Sequence, residues 1–202
     1  MLAIVGWAVS PGARANAQSH PTPSELFRRL QSPKTTYEAS KQFLLYSKSN
    51  PLFRKYLIDH LGSIISPGPN SCPPNDIEDI EARWHPCPWY NAVKLAGELK
   101  IGESVPALGP WIAFRIGDGV VIGLSSEYRL DLYPVATALW QIGNPSIPAV
   151  QNAFDSDPRV HFVAVRVLCI INTPQSKAAL RDDLTRESEP TLRVMIKNCS
   201  EK

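Results

Sequence analysis

The sequence predicts an all-α protein, an α-solenoid in which short helices pair and the pairs stack into one elongated core. Three observations predict it: apolar residues recur at helical spacing, prolines follow helix-capping residues, and the second half of the chain repeats itself. Nineteen of the 202 residues are proline, where an average chain of this length would hold roughly ten. Helix interiors tolerate almost none. So many prolines require either a loop-rich chain or many helix starts.

Along the chain, the first element is Leu2 to Val9, an apolar run followed by Ser10-Pro11-Gly12 and by Ala15-Asn16-Ala17. This is the apolar region and small-residue cleavage pattern of a secretory signal, so residues 1–17 are expected to be removed on export. No Lys or Arg precedes the run, which leaves either Met1 or an upstream residue as the true start, or a mis-started N-terminus. No later stretch reaches the ~18 apolar residues a membrane span needs.

Residues 18–70 read as an N-terminal helical region. Ser24 to Leu30 suits a short helix. Thr35-Thr36-Tyr37-Glu38 has the form of a capping box opening a second, with Ala39, Phe43 and Tyr46 at helical spacing. Asn50-Pro51 opens a third, with Leu52, Phe53, Tyr56, Leu57, Leu61 and Ile64 on one face, and Ser66-Pro67-Gly68 ends it. Residues 71–88 form an insertion flanked by Cys72 and Cys87. Its acidic stretch from Asp76 to Trp84 suits an amphipathic turn or two with Ile77, Ile80 and Trp84 turned inward.

From residue 89 to the end the chain repeats. A shift of 41 lays Leu99, Ile101 and Gly102 onto Trp140, Ile142 and Gly143, and a shift of 29 carries Ile142, Gly143 and Pro145 onto Ile171, Asn172 and Pro174. Gly102, Gly143 and Asn172 thus share one slot, and these residue types accept the left-handed conformation that ends a helix. After each comes a new start: Ser104 before Val105-Pro106, Asn144 before Pro145, Thr173 before Pro174. Asp157-Pro158 and Glu189-Pro190 open the first helices of later units. About twelve extra residues fall near Ile116 to Arg129. Asp118-Gly119 would allow a small β-hairpin there, and an extended loop serves equally.

The segments Ala92 to Gly102 with Val105-Pro106-Ala107-Leu108, Ala138 to Pro145 with Ile147-Pro148-Ala149-Val150, and Asp157-Pro158-Arg159-Val160 with Val163-Ala164-Val165-Arg166 resemble HEAT and HEAT-like repeats, including the short variety named after the phycocyanobilin lyases. The resemblance covers about 89–196, and 24–65 by helix pattern only. It implies stacked helix pairs with a broad surface that holds a protein or peptide. The cysteine-flanked insertion, the twelve-residue extension and Asn172 in a glycine slot depart from the pattern.

Four cysteines fit an exported protein. They allow three pairings, and spacing alone does not choose; the pairing with the shortest loops joins Cys72 to Cys87 and Cys169 to Cys199. Cys72, His85 and Cys87 lack the fourth ligand and the paired spacing of a zinc site. The acids Asp76, Glu78, Asp79 and Glu81 lack the frame of a calcium loop. Gly117, Gly119 and Gly123 miss the dinucleotide-binding spacing by one residue, and Ser125 and Ser126 are not framed as a nucleophile elbow. None of His20, His60, His85 and His161 falls into a catalytic pattern with acids and nucleophiles, so no catalytic, cofactor or metal residue is assigned.

Among the tryptophans, Trp84 and Trp89 stand open as partner anchors or core, Trp140 is expected in the core because it aligns with Leu99, and Trp111, after Gly109-Pro110, is the better candidate for the partner-binding surface. A net charge of +2 argues against a nucleic-acid partner. Between residues 24 and 60, seven Lys and Arg face three acids, an excess suited to a solvated surface. The expected function is an exported, non-catalytic, monomeric scaffold for a protein or peptide partner, secreted or periplasmic. The alternatives are an enzyme of the chromophore-lyase kind and a structural module of an envelope assembly.

Overall fold

The computed structural model describes residues 20–72, 86–116 and 130–201. The described residues hold ten α-helices and no strand. They are α1 (Pro23–Leu30), α2 (Thr36–Ser49), α3 (Pro51–Ile65), α4 (Pro88–Glu98), α5 (Val105–Leu108), α6 (Pro134–Ile142), α7 (Ile147–Gln151), α8 (Pro158–Ile171), α9 (Pro174–Leu184) and α10 (Pro190–Glu201). The signal-like segment 1–17, most of the cysteine-flanked insertion and the suggested hairpin fall outside the described residues.

Proline placement explains the composition. Every helix except α2 carries proline as its first or second residue, where the missing N–H has no intrahelical acceptor to lose and the fixed φ already suits the helix. Side chains cap several of these starts. Asn50 Oδ1 accepts from Leu52 N–H at 3.0 Å and Asp157 Oδ1 from Arg159 N–H at 2.8 Å. Thr173 and Ser176 form a reciprocal capping box at α9.

The capping box expected at Thr35 and Glu38 does not form. Thr35 Oγ1 donates instead to the Arg29 carbonyl at 2.7 Å, closing the α1–α2 turn, and Glu38 pairs with Lys41. Gly102 is not left-handed either. Helix α4 stops earlier, at Leu99, and Lys100 takes the positive φ of 51°. The Lys100 and Ile101 N–H groups then donate to the Gly97 and Ala96 carbonyls, a Schellman ending. Gly102 serves close approach: a methyl group there would lie 3.3 Å from Pro145 Cβ of the following turn. Gly143 and Asn172 do take positive φ, 82° and 49°. Leu52, expected on the inner face of α3, is exposed.

The helices form two rows. In one, α2 packs on α4, α4 on α6, α6 on α8, and α8 on α10. Gly97 lets α4 and α6 come close, since a methyl there would sit 2.7 Å from Ala138 Cα. In the other row α3 meets α5, Gly109 after α5 meets Ala149 of α7, and α7 meets α9. One hydrophobic core runs between the rows from Leu26 to Ile196, with Trp89, Leu108, Leu139, Ile147 and Leu168 fully buried. Trp89 satisfies its buried Nε1–H on the Ile65 carbonyl at 3.0 Å.

Both shortest-loop disulfides are present. Cys72–Cys87 joins the segment after α3 to the residue that precedes α4, and Cys169–Cys199 ties α8 to α10. No helix among the described residues is long and apolar enough to cross a membrane.

Candidate functional site

Two grooves lie between neighbouring helices of the row, one between α2 and α4 and one between α4 and α6, and a third, larger groove lies at the start of α8. The helices run the same way: Asn91 Nδ2 near the start of α4 donates to Thr36 Oγ1 at the start of α2, and Tyr133 and Arg159 flank the starts of α6 and α8 in one groove. Residues one turn apart therefore recur at matching levels across the row.

The α2/α4 groove, about 120 Å³, is lined by Tyr37, Lys41 and Leu44 facing Tyr90, Lys94 and Glu98. The same three α4 residues form one wall of the α4/α6 groove, about 180 Å³, opposite Pro134, Thr137 and Gln141. The groove at the start of α8 is larger, about 440 Å³, and is lined by Ala113, Arg115 and Tyr133 together with Arg159 and Phe162 of α8. Each groove pairs an aromatic ring with a cation, a combination that offers both apolar area and charge.

Lys41 Nζ lies 3.9 Å from the Tyr37 ring centroid and 3.5 Å from Glu38. The hydrogen bond to Tyr37, and secondarily the Glu38 charge, hold its ammonium above the ordinary lysine value. Lys94 sits 3.8 Å from Glu98 on an exposed helix face, a pairing worth little in water. Among the described residues, Lys41, Lys94, Arg115, Arg159 and Glu98 are the charged side chains that line the grooves.

Trp111, the surface candidate, is half-buried. Its indole fills the space beside Gly68 so closely that any Cβ at position 68 would collide with it, and it lines none of the three grooves. Trp89 belongs to the core. Trp140, expected in the core, is 36% exposed on α6.

The folded chain also gathers His161 of α8, Asp183 of α9 and Glu187 just after α9. His161 Nε2 lies 2.8 Å from Asp183 Oδ2 and Nδ1 lies 3.3 Å from Glu187 Oε2, with all three side chains largely buried. This is the one group of three such side chains among the described residues whose ligand atoms converge to metal-binding distance. The carboxylates pair with opposite ring nitrogens, so the imidazole joins α8 to both ends of the 183–187 turn. The arrangement suits a clasp between helices. Sequence patterns gave no sign of it, because its members are 22 and 26 residues apart and follow no motif spacing.

No family model, no curated protein and no solved structure matches this chain. A further hollow, about 590 Å³, lies over α9 and α10 beside Val194 and Lys197 and shares no residue with the three grooves.

Proposed function

We propose that the protein is an exported, HEAT-like stack of helix pairs that holds a protein or peptide partner across the outward face of α2, α4, α6 and α8 and catalyses no reaction on it. The observation that carries this is the pair of adjoining grooves that share Tyr90, Lys94 and Glu98 of α4, together with the groove at the start of α8, each lined by an aromatic residue and a cation. Stacked helix pairs present such continuous faces because each pair buries its apolar side only against its neighbours. Two disulfides support an oxidising compartment.

Cross-linking in the native envelope fraction tests it. Tyr90→Ala and Phe162→Ala remove groove walls from a half-exposed surface, whereas Lys197→Glu alters the separate hollow. The species cross-linked to the wild type should disappear with the first two variants and persist with the third. The same species retained by all three variants would sink the proposal.

A further inference from the structure

We infer that the Cys72–Cys87 bond is a thiol–disulfide exchange site, attacked by a small external thiolate at Cys72 and releasing Cys87, whereas Cys169–Cys199 is a structural staple. All four cysteines are bonded, so the attacking thiolate comes from outside the chain. Exchange is a displacement at sulfur, and it needs one reachable sulfur and one that leaves as a thiolate. Cys87 is 1% exposed, which closes it to an incoming nucleophile. Cys72, in the segment after α3, is only half-buried against the core. The displacement therefore has one direction, and the partial cover of Cys72 suits a small thiol.

The leaving group decides which bridge reacts. Cys87 is the N-cap of α4, and its Sγ accepts the Tyr90 N–H at 3.3 Å. The first turn of a helix presents N–H groups with no intrahelical acceptor and the positive end of the helix dipole. Both stabilise a thiolate released there. Burial alone favours the neutral thiol, and the cap supplies the hydrogen bond that offsets it. Because a thiolate still accepts from Tyr90, α4 keeps its start after the bond has opened.

The second bridge has the opposite placement. Cys169 and Cys199 are half-buried like Cys72, so access alone does not separate the two bridges. Each stands two residues before the last residue of its helix, α8 (Pro158–Ile171) or α10 (Pro190–Glu201). There the dipole is negative and a thiolate is disfavoured. A favourable helix end for one leaving sulfur and an unfavourable end for the other together amount to roughly tenfold in release.

The incoming thiolate forms a bond to Cys72 Sγ as the bond between the two cysteines breaks, and the electron pair of that bond leaves on Cys87. A second small thiolate then attacks the small thiol's sulfur in the mixed disulfide and expels Cys72. Two small thiols are oxidised to their disulfide, and the protons they lose pass to Cys72 and Cys87. Where no second thiol arrives, the Cys87 thiolate attacks Cys72 Sγ, re-forms the bond and expels the first.

Glutathione added to the oxidised full chain under native conditions tests the inference, with samples quenched in acid over time, alkylated and mapped by peptide mass spectrometry. Cys72–Cys87 should open about tenfold faster than Cys169–Cys199, and the early product should carry glutathione on Cys72 and the alkyl group on Cys87. Equal rates for the two bridges, as opening through global unfolding would give, would overturn the inference. So would Cys169–Cys199 opening first, glutathione found on Cys87, or a Cys72–Cys87 bond that resists glutathione until denaturant is added.

Discussion

Thr173 Oγ1 donates a hydrogen bond to Asn144 Oδ1 at 2.7 Å, joining the turn before α9 to the turn before α7. The same hydroxyl accepts from Ser176 N–H at 3.3 Å, so one side chain caps a helix and binds the neighbouring turn. One level earlier Gly102 and Pro145 meet in the corresponding place. The equivalent turns therefore stack as the helices do.

Removing that hydroxyl should cost both functions. Thr173→Ala is expected to destabilise by about 1–2 kcal/mol and Asn144→Ala by about 0.5–1 kcal/mol. Urea unfolding of both single variants and the double variant should show a coupling energy of about 0.5 kcal/mol or more. Strict additivity would mean that the turns do not bind each other.

Two glycines separate close approach from mere permissiveness. Gly97→Ala places a methyl 2.7 Å from the α6 backbone at Ala138 and should cost about 1–3 kcal/mol through forced separation of α4 and α6. At Gly109 a methyl meets Ala149 Cβ at 3.6 Å, ordinary contact, so Gly109→Ala should be neutral or stabilise by about 0.5 kcal/mol. Thermal denaturation of the two variants in parallel checks the contrast.

How much of this was legible in the chain depends on whether the decisive interaction is local. Asn50, Asp157 and Thr173 act on N–H groups two or three residues ahead, so sequence finds them. Thr35 looks the same but loses its hydroxyl to Arg29 across a turn. Trp140 aligned with buried Leu99, yet Leu99 caps α4 whereas Trp140 lies within α6; the shared slot has a different helical phase in each unit, and Trp140 turns outward. The grooves depend on which helices become neighbours, and His161 meets acids on other segments. No local pattern encodes either.

The His161 clasp predicts a stability effect. His161→Ala leaves Asp183 and Glu187, both largely buried, without the ring between them and should cost about 3 kcal/mol, the scale of a broken buried pair. Adding Asp183→Asn should return part of that loss, because one of the two charges is gone. Chemical denaturation of the single and double variants decides it; equal stability of His161→Ala and wild type would remove the clasp from the account.

At α10 the sign of the pH effect follows from Glu189. Hydrogen bonds from the N–H groups of Thr191 and then Leu192 hold its carboxyl below the ordinary value of 4.5. A depressed folded value means that the cap's contribution is fully present above the ordinary carboxylate value and is lost as pH falls through the folded one. Glu189→Gln should therefore lower stability at neutral pH and flatten the acid side of the stability profile below pH 4.5. An unchanged acid limb would contradict this.

Both disulfides should resist thiol labelling until the protein is reduced. On the chain-entropy model, loops closed over separations of 15 and 30 residues contribute about 3 and 3.6 kcal/mol, so Cys169→Ser with Cys199→Ser should lower stability on that scale. Mass spectrometry after alkylation of the native protein, with and without reductant, counts the free thiols directly.

The most direct test of the binding face is backbone NMR of the oxidised full chain titrated with a peptide selected on it from a random library. The predicted result is perturbed amides along the two adjoining grooves at Lys41, Tyr90, Lys94 and Thr137 and at Arg159 beside the third, with α5, α7 and the Val194 hollow unmoved. Perturbations confined to the α5–α7–α9 row, or to the hollow over α10, would contradict the account.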